Sequence, residues 1–208
     1  MFLKLFGSDG VVATIVGHIA DAFLLSIYWL LLCIPIITIG PATAALYGTV
    51  VKVFRCDEHG GWRVFYKSFR ENLKQGIILT IIWLTFFVSL AFCLMFLNNA
   101  VKAQLVDEVF LYVGFGFAFL IIGIQGVLFP TLSRFENRTF RILTNSIIIA
   151  MANLPRTLAV ALFIVLGVLA VLWQGWSLIL IPALVCVLNT YMIEPMFAPF
   201  MPQESDEE

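Results

Sequence analysis

WRVFYKSFRENLKQGIILTIIWLTFFVSLAFCLMFL, residues 62–97, decides the fold. Its first part carries Arg63, Lys67, Arg70 and Lys74, spaced four, three and four, with Trp62, Phe65, Phe69 and Leu73 as an opposing apolar stripe. That is the pattern of a basic amphipathic helix. No charge follows between Lys74 and Lys102, and the run Gly76–Leu97 is long enough to cross a bilayer, which takes about 20 apolar residues. A basic stripe running directly into a span marks the side of the membrane on which the preceding segment stays.

The same pairing recurs in the rest of the chain. Ten of the twelve basic residues lie in two groups: Lys52, Arg55, Arg63, Lys67, Arg70 and Lys74, then Arg134, Arg138, Arg141 and Arg156. The composition, 62% hydrophobic and 12% charged, is that of a membrane protein rather than a soluble domain. Apolar runs place five spans near Ala20–Ile39, Gly76–Leu97, Val109–Phe129, Thr157–Trp173 and Trp176–Met196, the fourth with an earlier start inside Ile147–Leu154 as an alternative. The expected fold is all-α: one integral membrane domain over 1–208, with two cytoplasmic amphipathic helical segments. With both basic loops inside, the N-terminus falls outside and the acidic tail 202–208 in the cytoplasm. No secretory signal peptide is expected, because the first apolar run is too long for one.

The two halves, 20–97 and 109–173, read as a candidate twofold repeat, with 176–196 left over as the fifth span. Span one ends at Ile39-Gly40-Pro41 and span three at Phe129-Pro130-Thr131; Asn72-Leu73-Lys74-Gln75 and Asn153-Leu154-Pro155-Arg156 occupy matching points. Around the first of these ends, Pro35 should kink the span and Gly40-Pro41 break it. Ala44/Gly48 and Ala45/Thr49, each four apart, then let helix backbones approach closely. A broken helix at membrane depth serves either a substrate or ion pathway or a tight packing joint. With no ionisable residue in the stretch, the joint is the better reading.

The basic groups have two readings as well. They act as topology signal and lipid anchor, with cations on anionic headgroups and aromatics among acyl chains. Alternatively, Arg63, Lys67, Arg70, Lys74, Arg134, Arg138 and Arg141 form a docking surface for a partner. In the second group Leu132, Phe135 and Ile142 supply the apolar side. Two acids stand in apolar context. Asp21 is expected at the outer end of span one, near His18, and Glu194 in span five, paired with Arg156 or Arg138. Asn145, Asn153 and Asn189 are placed to hydrogen-bond between helices.

Four scattered cysteines, Cys33, Cys56, Cys93 and Cys186, suggest neither disulfides nor a zinc site. The chain has no phosphate-binding loop, metalloprotease or serine-hydrolase motif, so no enzyme, cofactor or metal is expected. The net charge of −1 leaves no field for nucleic acid.

The runs LLCIPIITIGPATAALY (31–47) and FYKSFRENLKQ (65–75) resemble, in order and spacing, the YesL family of bacterial membrane proteins. There a leucine-rich span ends in a Pro, Thr, Gly and small-residue pattern, followed by an aromatic-basic motif ending in Asn, an apolar residue, a base and Gln. The specific part covers about residues 21–76; Leu73 departs from it where an aromatic is common. The resemblance implies a multi-pass protein of the bacterial plasma membrane associated with carbohydrate uptake. It further implies an accessory role, with a membrane subunit of a sugar ABC transporter as partner; a second copy of the chain is a further candidate partner. The alternative function is a small solute or ion transporter or channel, with the broken region and Asp21 or Glu194 on its pathway.

Overall fold

The computed structural model describes residues 11–55, 61–135 and 137–200; the acidic tail, Lys4, Cys56 and His59 lie outside them. The described residues form seven helices and no strand. In chain order these are α1 (Val11–Leu32), α2 (Ile39–Arg55), α3 (Gly61–Lys102), α4 (Glu108–Arg134), α5 (Thr139–Ala152), α6 (Leu154–Trp173) and α7 (Ile181–Phe197). Short 3-10 turns occupy Ile36–Thr38, Gly175–Ile179 and Ala198–Phe200.

Among the described residues, five segments are long and apolar enough to cross a membrane: Ile36–Val53, Gly61–Lys102, Glu108–Arg134, Leu154–Trp173 and Ile181–Phe200. The count is the expected one, but the first member is not. Ala20–Ile39 is not one helix, because α1 stops at Leu32 and the chain turns through Cys33–Pro35. Thr38 Oγ1 lies 2.5 Å from Leu32 O and 2.6 Å from Pro35 O, so its hydroxyl serves carbonyls that the helix end leaves orphaned. The break comes earlier than Gly40-Pro41, at Cys33–Pro35, but Pro41 opens the new helix as its position suggests: it sits in the first turn of α2, where a missing N–H costs nothing.

α1 and α2 make a hairpin. Trp29 Nε1 donates to Thr43 Oγ1 at 3.2 Å, while Leu25, one turn earlier, lies beside Val53 and Gly61. The beginning of α1 therefore points to the end of the bundle where α2 finishes and α3 starts. A single helix over 20–39 is not observed: α1 ends at Leu32 and α2 begins at Ile39. Ser26 on α1 accepts from Ala183 N at 3.1 Å, capping the first turn of α7 from a neighbouring helix.

α2 runs antiparallel to the first half of α3 and is sunk in the protein. Every residue from Ala44 to Val51 is buried. Backbones approach closely here: a Cβ on Gly76 would lie 2.8 Å from Pro41, and one on Gly40 would lie 2.9 Å from Gly76 O and also strike the Thr80 hydroxyl. α3 itself is a single 42-residue helix, about 63 Å long at 1.5 Å per residue. Residues 62–74, expected to lie flat in the interface, are the continuous lower part of the helix that carries the span 76–97. This helix is roughly twice as long as the hydrocarbon core is thick.

α4 runs unbroken through Pro130 to Arg134, so Pro130 packs, fully within the buried stretch Val127–Leu132, rather than ending the helix. α5 folds back against the end of α4, and Asn153 separates it from α6, whose start at Leu154 precedes the expected Thr157. α6 meets α4 through glycines: a Cβ on Gly123 would lie 2.7 Å from Thr157 O, and one on Gly126 2.5 Å from Val160. The two halves therefore differ. Asn72–Gln75 lies in mid-helix, while its counterpart Asn153–Arg156 forms a helix junction.

Gly76→Val forces α2 and α3 apart and is expected to destabilise the detergent-solubilised protein by about 1–3 kcal/mol, the scale of overpacking in a close-packed contact. Gly116, around which a Cβ would meet nothing within 4 Å, is the control: Gly116→Ala leaves thermal stability unchanged or slightly raised. Equal melting of the two variants counts against the joint.

Candidate functional site

Arg63, Lys67, Arg70 and Lys74 are all exposed on one face of α3. The opposite stripe is not among acyl chains, as anticipated. Phe65 is 0% exposed and packs with Leu25, Leu46 and Val50, and Phe69 packs against the same cluster. Trp62 departs from the stripe: it is exposed, 4.5 Å from the Tyr28 ring and 5.6 Å from the Tyr66 ring. Trp62 and Tyr66 thus flank the cations as an exposed aromatic pair, and with Arg63, Lys67, Arg70 and Glu71 they line a shallow surface depression.

The second basic group is not one helix face. Arg134 is the last residue of α4, Arg138 precedes α5, and Arg141 is in its first turn. The reason is the turn at 135–138, which the unbroken α4 pushes beyond Pro130. Leu132 and Ile142 are buried, and Phe135 packs edge-on against Phe197 at 5.3 Å.

Tertiary packing sets the second basic group in a groove against α3. Glu71, Asn72 and Gln75 of α3 face Arg134, Asn137, Arg138 and Arg141 across a polar depression of about 1050 Å³. Gln75 Nε2 donates to Asn137 O at 3.1 Å and fixes the α4–α5 turn against α3. The sequence carries no sign of this meeting, because Gln75 and Asn137 are 62 positions apart.

Glu194 is paired, but with neither expected arginine. Arg134 Nη2 lies 2.9 Å from Glu194 Oε2, and Tyr47 donates its hydroxyl to Glu194 Oε1 at 2.9 Å. The Glu194 side chain is 11% exposed. Arg134 reaches it because α4 continues to that residue, bringing the guanidinium to the end of α7. Tyr47, unnoticed in the sequence, joins α2 to this pair, so three helices meet at one carboxylate. An ion pair so supplied with hydrogen bonds is a structural tie.

Asp21 is half-exposed on α1, one turn from Leu25, and so lies toward the end where α3 begins rather than at the opposite rim. Pro35 is exposed in the turn; Gly40, Pro41, Ala44, Gly48 and Pro130 are buried packing residues. Among the described residues, no three His, Cys, Asp or Glu side chains cluster to hold a metal.

Residues 22–94, the unit formed by α1, α2 and most of α3, match a family model described as "Protein of unknown function, DUF624". No curated protein matches the chain. No solved structure matches it.

Tyr47→Phe removes one hydrogen bond to a charged acceptor and is expected to cost about 1.5–3 kcal/mol. Arg134→Met strands the carboxylate and should cost at least as much. The double variant is expected to lose less than the sum of the two, read by unfolding in mixed micelles. Strict additivity would show that the two partners do not share Glu194.

Proposed function

We propose that the chain is a non-enzymatic, multi-pass protein of the bacterial plasma membrane that assists a carbohydrate-uptake system by docking onto a transporter's membrane subunit. One observation carries this reading. The basic face of α3 is exposed, while Phe65 and Phe69 of its apolar stripe pack inside the protein. A lipid anchor needs its apolar stripe free to enter the acyl region. A helix whose apolar side is already packed holds its cations on a rigid support, as recognition of an acidic surface requires. The groove edged by Arg138, Arg141 and Glu71 extends that surface with both signs of charge, suiting a polar protein partner better than headgroups alone.

In this reading the basic face lies in the cytoplasm, following the positive-inside bias. The beginning of α1 and the end of α7 lie on the same side. Five apolar segments support a multi-pass arrangement, and the resemblance over residues 21–76 supports the link to sugar uptake. The transporter alternative draws less support, because Glu194 is already paired with Arg134 and hydrogen-bonded by Tyr47.

The test is crosslinking in the native membrane, mild-detergent purification and mass spectrometry of what is recovered. A sugar-transporter permease should be recovered in near-equal amount. Recovery should fall at least tenfold when Arg63, Lys67 and Arg70 are all changed to Glu, with membrane insertion intact. Recovery of the permease unchanged by the triple reversal, or of the protein alone, overturns the proposal.

A further inference from the structure

A second feature stands apart from the basic face. Between α2, α4, α6 and α7 lies a cavity of about 330 Å³. Its wall is almost wholly apolar, with Leu46, Phe129, Ile164 and Val185 among the lining side chains, and it carries no charged residue. Val168 and Leu172 line it too and are 53% and 76% exposed, so the cavity opens along the outer, lipid-facing side of α6.

Several polar atoms on the wall are engaged. Trp29 Nε1 donates to Thr43 Oγ1, Thr43 Oγ1 donates to Ile39 O at 2.7 Å, and the Tyr47 hydroxyl is held by Glu194. Asn189 differs. It lines the cavity and is 7% exposed, and its Oδ1 has no hydrogen-bond partner. A buried acceptor left unmade costs about 1–3 kcal/mol, so a native structure that keeps one calls for a partner. Water is a poor candidate for the whole space. The volume equals about ten waters at roughly 30 Å³ each, and apolar cavities of even about 150 Å³ stay dry and take up benzene.

We infer that this cavity is a binding site for a neutral single-chain amphiphile. Its hydroxyl donates to Asn189 Oδ1, and its apolar chain lies along Leu46, Phe129 and Ile164 after entering from the bilayer past Val168. Neutrality follows from the wall: an anionic head meets no cation there, a cationic head meets no carboxylate, and either is left desolvated. A hydroxyl meets this buried acceptor as a donor, and the unpaired acceptor is what the alcohol's O–H satisfies. Gln125 contributes a second amide at the wall, within the same space. This inference is independent of the docking proposal.

The probe is a dodecanol bearing a diazirine in its chain, added to the full chain in nanodiscs of phosphatidylcholine and phosphatidylglycerol. Its labels are mapped by mass spectrometry. The segments 178–193 and 125–130 are expected to be labelled, and excess 1-dodecanol should compete the label away. The matched alkane and dodecanoate probes should label these segments about tenfold less, the scale of one hydrogen bond in a dry site. Asn189→Leu should bring the alcohol down to the alkane's level. Val168→Trp, a change on an exposed position at the mouth, should abolish labelling with Asn189 intact, and it stands alone should Asn189→Leu fail to insert. Equal labelling by alcohol and alkane, or labelling unmoved by Val168→Trp, shows mere partition into lipid and overturns the inference. Stronger labelling by dodecanoate overturns its chemistry.

Discussion

The close approach of α2 to the lower half of α3 is the constraint on which the rest of the molecule depends. Gly40, Pro41 and Gly76 bring the two backbones within van der Waals contact, and Gly48 continues the seam beside Ser68 and Ser133. Because α2 sits so deep, it can be touched from every side. α1 covers it through Trp29 and Leu25, α4 through Phe129, and α7 through Glu194 on Tyr47. In lipid there is no hydrophobic force between helices, so such a joint is held by packing and by the few polar contacts that reach across. Small side chains at the seam are the condition for both.

The polar groups in this interior are handled locally. Thr49, Thr80 and Thr131 each donate to the carbonyl four residues back, at 2.8, 2.6 and 2.8 Å. Such bonds keep hydroxyls satisfied without asking anything of a neighbouring helix. Other polar groups reach across helices: Trp29 to Thr43, Ser26 to α7, Gln75 to the α4–α5 turn, and Tyr47 and Arg134 to Glu194. They act as the register marks of the bundle. Asn189 Oδ1, with no such mark to make, stands out against that background.

The length of α3 connects the packing to the surface. A helix of this length cannot lie wholly in the hydrocarbon, so its first half must be covered by something other than lipid. α2 supplies the cover on one side. The uncovered side then carries Arg63, Lys67, Arg70 and Lys74 into water. Burial of Phe65 and exposure of the cations are two faces of one arrangement, and the groove with Arg138 and Arg141 arises where the α4–α5 turn closes against the same helix.

Much of this was legible in the residues. Apolar runs near 20 residues, and basic residues gathered mostly in two groups, sufficed for an all-α chain with five apolar helices of spanning length among the described residues. The small residues of 40–48 marked a close joint. These are local properties, set by backbone hydrogen-bond satisfaction and the cost of charge in hydrocarbon. Only the tertiary structure decided that a turn after Leu32 divides 20–39, that Pro130 lies inside a helix, and that Glu194 takes Arg134 and Tyr47. An apolar run looks the same whether it faces lipid or protein, and a proline breaks a helix only where neighbours do not hold the freed groups. Which charge meets which depends on helix lengths and turns summed over the whole bundle, and no stretch of sequence records that sum.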